Sequence, residues 1–193
     1  MSILVLTSDT LIGTPAAGNI EYNGQFFGTD SNASRAQLQR ITQGTAVAST
    51  SGTSIDFTGL PAWVKRVTVQ FQGVSTNGTS VVIIQLGTGS TTYTTSGYLG
   101  AAATNATIAN FTTGIATTGV RSAAYVTHGA TVITNITGNS WVAQGTNGGS
   151  DGATISYTGS SIALAAVLTA VRITSVNGTD TFDAGSINIL YEG

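Results

Sequence analysis

Cysteine is absent from this 193-residue chain, which excludes a disulfide framework and any thiolate metal site. Histidine occurs once, at His128, so a histidine-pair zinc site is excluded and a single imidazole is left for acid–base chemistry. Charge is nearly as scarce. Charged residues make up 7% of the chain, against about 25% in an ordinary soluble domain. The net charge of −2 and a pI near 5.0 generate no field that would attract nucleic acid or an anionic membrane. Long apolar runs are missing too. The most apolar stretch, IALAAVLTAV at 162–171, is about half the length that spans a bilayer. The start, MSILVLTSDT, has no basic leader region and no cleavage-like site. The expectations are no nucleic-acid partner, no membrane insertion and no export signal.

Threonine, serine, asparagine, alanine and 25 glycines take the places that charges usually fill. β-Branched residues pack well on a pleated sheet and crowd in a helix, so the composition predicts an all-β chain. Frequent Gly and Asn supply the turns. Strands are expected within VKRVTVQF, VVIIQL, AVRITSV and SINILYE, and around 108–111, 124–127, 131–136 and 141–144, the last two joined by TGNS. In VKRVTVQF, Lys65, Val67, Val69 and Phe71 share one face, and Arg66, Thr68 and Gln70 share the other. The predicted architecture is a β-sandwich, jelly-roll-like, of one main domain.

The first third reads differently. Asn23-Gly24 lies between two short β-prone runs, a hairpin signal. TDSNASRAQLQRITQ then predicts the one helix, capped by Asp30 or Ser31, with Leu38 and Ile41 on its apolar face. A boundary near Gly44 follows, dividing an attachment segment over 1–43 from a β-domain over 44–193. FTGLPAWVKRVTVQF holds one of two prolines and one of two tryptophans. Alternation puts Lys65 and Arg66 on opposite faces there, so the stretch reads as strand entry rather than a cationic site.

Catalytic chemistry has few carriers. No serine lies in a G-x-S-x-G elbow that His128 could serve. Asp180 and Asp183 are the one close acidic pair, and NGTDTFDAG lacks a calcium-loop spacing, so they read as turn residues. N-x-[ST] triplets, as at Asn77 and Asn177, are what this composition produces by chance. The expectation is no enzyme, no cofactor and no metal. Tyr93, Tyr98 and Trp141 sit in polar surroundings and are the candidate ligand-binding aromatics, suited to stacking on sugar rings. VVIIQL, with Val82 and Ile84, suits a central strand or burial between subunits.

The pattern T-P-x-A-G-x-x-E-Y-x-G, carried by Thr14, Pro15, Ala17, Gly18, Glu21, Tyr22 and Gly24, resembles a short module of tailed-bacteriophage fibre and other virion proteins. TSIDFTGLPAWVKRVTVQFQGVSTNGTS and VRITSVNGTDTFDAGSINILYE are similar to the distal β-domain of phage tail-fibre or minor tail proteins. The resemblance implies a structural virion protein, a homotrimer displayed on the particle and involved in binding a host-surface glycan or protein. Tyr22, Phe26, Phe27, Leu38 and Ile41, with Val82 and Ile84, would then serve attachment to tail or capsid proteins and oligomerisation. A capsid decoration on the head is the alternative, and a glycan-cleaving spike is a third reading. A sandwich of this size, with its N-terminal segment, reaches about 40–50 Å, which suits a knob or spike rather than a long fibre.

Overall fold

The computed structural model describes residues 10–193 except 12, 15, 24 and 106. The start up to residue 9, and Pro15 and Gly24 of the N-terminal pattern, therefore lie outside the described residues. The chain divides into two compact units, Met1–Arg40 and Ile41–Gly193.

In the first unit β1 (Ile20–Tyr22), β2 (Phe26–Thr29) and β3 (Arg35–Gln37) form one antiparallel sheet in that order. Tyr22 pairs with Phe26 across the hairpin. The helix expected after it is absent, and β3 stands in its place. Asp30 Oδ1 accepts the N–H groups of Asn32 and Ser34, each at 2.9 Å, and Ala33 adopts a positive φ of 57°. That closes a tight turn, and Leu38 N–H then bonds the Phe26 carbonyl. Short polar side chains that bond their own backbone compete with a helix start. The sparse Leu38/Ile41 pattern gives too little apolar face to outweigh a complete strand ladder.

The second unit begins with β4 (Ile41–Gln43), β5 (Val47–Ala48), β6 (Ser54–Thr58), β7 (Arg66–Thr76) and β8 (Val82–Gly87). Next come β9 (Leu99–Thr104), β10 (Thr107–Phe111), β11 (Ile115–Ala116) and β12 (Thr127–Thr137). It closes with β13 (Ser140–Gly149), β14 (Thr154–Ala163), β15 (Ala170–Ser175) and β16 (Phe182–Glu192). Nine strands form one sheet, ordered β10-β9-β14-β13-β12-β7-β16-β4 with β5 beside β16. Four form the other, ordered β11-β8-β15-β6. Val67, Val69 and Phe71 of β7 and Ile187 and Ile189 of β16 share one core with Leu86 of β8 and Val171 and Ile173 of β15. The fold is an all-β sandwich with unequal layers.

Alternation along β7 is as the sequence predicts: Val67, Val69 and Phe71 are buried, Arg66 and Gln70 exposed. β8 is the central strand that was one of the two expectations for VVIIQL. All six of its residues are buried within this chain, and Val82 and Ile84 lie in the sandwich core. They are not free for a subunit contact. Ile41, expected on the attachment segment, instead pairs in β4 with Glu192. The units accordingly divide at Arg40 and not at Gly44. Of the strand expected at 124–127, only Thr127 is in a strand, as the first residue of β12.

Candidate functional site

β6 and the middle of β15 alternate inward apolar residues with outward polar ones, and in the buried β8 Gln85 is the one polar side chain. Between buried Ile55 and Phe57 stands Asp56; between buried Val171 and Ile173 stands Arg172. Register sets Arg172 opposite Asp56 on one side and Gln85 on the other. The three side chains therefore share the outer face of the four-stranded sheet.

Their geometry is specific. Arg172 Nε and Nη2 donate to the two oxygens of Asp56 at 2.8 and 2.7 Å. This is a bidentate pair. The guanidinium carbon stands 4.0 Å from the centroid of the Tyr93 ring, a cation–π contact. Tyr93 reaches that position because the chain after β8 turns back on itself. Tyr93 bridges Gly87, and Thr94 N–H bonds the Leu86 carbonyl. Burial, and then the Asp56 carboxylate, raise the Tyr93 pKa; the bond to Asp56 raises that of Arg172. Beside the pair lies a cavity of about 320 Å³ lined by Gln85, Arg172, Thr174 and the loop ending at Gly178. Gln85 Nε2 donates to the Thr113 carbonyl and Thr174 Oγ1 to the Thr53 carbonyl, so both side chains are fixed in advance.

The other expected aromatics lie elsewhere. Tyr98 is fully buried and is no ligand contact; its hydroxyl oxygen accepts the Leu86 N–H at 2.8 Å. Trp141 is in the core at 4% exposure, and its indole N–H has no partner among the described residues. Its ring reaches a depression of about 390 Å³ rimmed by the exposed Leu99 and Ile136. In the first unit the Tyr22 and Phe26 rings touch with centroids 5.0 Å apart. Ile20, Phe26 and Leu38 stay exposed there, and Phe27 is half-buried.

His128, Asp180 and Asp183 each have hydrogen-bond partners in the fold. Gly73 N–H donates to His128 Nδ1, and His128 Nε2 and Ser150 Oγ form a hydrogen bond at 3.2 Å. Asp180 accepts the Ser80 N–H and the Asn177 amide, and Asp183 accepts the Ser75 hydroxyl. Asn77 and Thr181 exchange bonds as well, so the two NGT turns of the sequence lie side by side. Among the described residues no three His, Cys, Asp or Glu side chains are grouped to hold a metal, and no helix is long and apolar enough to cross a membrane. Arg121 is buried, and its Nε and Nη2 have no hydrogen-bond partner among the described residues. Burial lowers its pKa.

Asp56 and Arg172 were not singled out in the sequence. The signal was present: each is the lone charge at an outward position of a strand whose flanking residues are apolar. What the fold and the cleft define is an antiparallel β-sandwich with a polar recess on its smaller sheet. No protein-family model matches the chain, and no curated protein or solved structure does either.

Proposed function

We propose that this chain is a structural protein of a tailed-bacteriophage particle, displayed on the surface as a homotrimer that engages the host. The first unit attaches it to other virion proteins and the sandwich faces outward. One observation carries the reading beyond the sequence resemblance. The first unit is a small three-stranded sheet that leaves Ile20, Phe26 and Leu38 exposed at 71%, 46% and 49%, and the second unit has a large hydrophobic core of its own. Three strands of three or four residues bury too little to need these side chains for folding alone. Apolar residues left outside on this separate small sheet suit a docking segment.

Immunogold labelling of intact particles tests the assignment. Label at the tail is expected, label on the head favours the capsid-decoration reading, and unlabelled particles refute both. Particles grown with a chain lacking residues 1–40 should carry no label, although the truncated protein remains in the lysate.

A further inference from the structure

We propose that the recess on the outer face of the four-stranded sheet binds one uncharged sugar residue. This rests on the display reading for the source of the sugar, a host-surface glycan. The chemistry of the recess stands on its own geometry.

An exposed cross-strand ion pair contributes about 0–1 kcal/mol to stability, so stability alone gives little reason for the Arg172–Asp56–Tyr93 stack. As a recognition element it has what a polyol needs. The guanidinium is locked in one plane by Asp56 from the side and by Tyr93 from its face. Its Nη1 makes no bond among the described residues. Gln85 spends its amide nitrogen on Thr113, which leaves its carbonyl oxygen as an acceptor. The hydroxyls of Ser54 and Thr174 and the exposed Val176 also line it. Donors, acceptors and one small apolar contact match the hydroxyls and the C–H face of a sugar ring.

The pair also decides which sugars. Asp56 neutralises Arg172, so an acidic sugar meets no unpaired cation and would approach a carboxylate. A planar base finds no open ring to stack on, because Arg172 already covers Tyr93. The volume, about 320 Å³, lies at the lower end of the roughly 300–1,000 Å³ range of ligand sites, which suits a single ring. Affinity at one site is expected near millimolar, about −4 kcal/mol. Three copies on one particle raise it through avidity.

The test is amide chemical-shift mapping of the full chain with methyl glucoside, methyl mannoside, N-acetylglucosamine, lactose and sialyllactose. At least one neutral sugar should shift amides around Ser54, Gln85 and Thr174, with sialyllactose binding no better than lactose. Thr95→Arg, an exposed rim position of the same cavity, should weaken binding at least tenfold. Gln85→Ala should do so too, and serves if the first variant fails to fold. The proposal is overturned if no neutral sugar shifts the spectrum, if shifts map to the Trp141 depression, if sialyllactose binds best, or if the folded variants bind as well as the parent. These results come from isolated protein and do not depend on where the particle is labelled. Labelled particles with a silent spectrum would sink the sugar site alone, and unlabelled particles would sink only the display reading.

Discussion

Tyr98 and Tyr93 stand five positions apart in TTYTTSGYLG, and nothing local tells them apart. The fold-back after β8 does. It leaves Tyr93 half-exposed over Arg172 and drives Tyr98 inside, where burial pushes its pKa from 10.0 up to about 12. The unfolded chain gives up this proton near pH 10 and the folded chain only near 12. The contribution to stability is therefore intact below pH 10. It declines between the two values, by at most about 2.7 kcal/mol. Tyr98→Phe should abolish that decline and cost about 1–3 kcal/mol at neutral pH, because the Leu86 N–H loses its buried acceptor. Urea unfolding of both proteins at neutral pH and near pH 11 measures the two effects. Arg172 and Asp56 carry the complementary lesson. Their outward positions were legible from alternation, but their meeting depends on the register of β6 against β15.

At the scale of elements, β7 and β16 pair over eleven residues each but slip register twice, at Phe182/Ala184 and Ala184/Ser186. Gly73 and Gly185 absorb the slips with φ of +66° and +92°, and a Cβ on Gly185 would stand 2.3 Å from the Gly73 carbonyl oxygen. Gly185→Ala forces the two strands apart and adds backbone strain, an expected cost of about 2–4 kcal/mol. Gly159→Ala, in β14 with nothing within 4 Å of the new methyl, should cost nothing. Thermal melts of the two variants decide it. β7 was readable because one face is Val/Val/Phe and the other polar. β9 and β14 were not: β9 is mostly Ala and Gly on both faces, and in β14 Ile155 and Tyr157 point outward while Ser156 and Thr158 are buried, the reverse of the usual alternation. The missing helix belongs here as well. Asp30 signals a cap or a turn with equal force, and the neighbouring strand chose the turn.

For the whole molecule, the division at Arg40 has a measurable consequence. A chain of residues 41–193 keeps every strand of the sandwich and should melt within a few degrees of the full chain. Removing 41–43 as well strips β4 from β16, together with the pairing of Ile41, Thr42 and Gln43. Its melting temperature should fall by about 2–4 °C for each kcal/mol lost. Equal melting temperatures for the two truncations would place the boundary after β4.

Composition alone determined the class. Threonine, valine and glycine, with little charge and no cysteine, leave a layered β-fold as the way to bury a core, and alternation determined which side of β7 faces it. Tertiary structure decided the rest. Whether VVIIQL faces a subunit or its own sandwich, which tyrosine is buried, and which two charges meet all depend on strand order and register. Those are set by contacts between residues more than a hundred positions apart, such as Asp56 and Arg172, and local spacing carries no record of them.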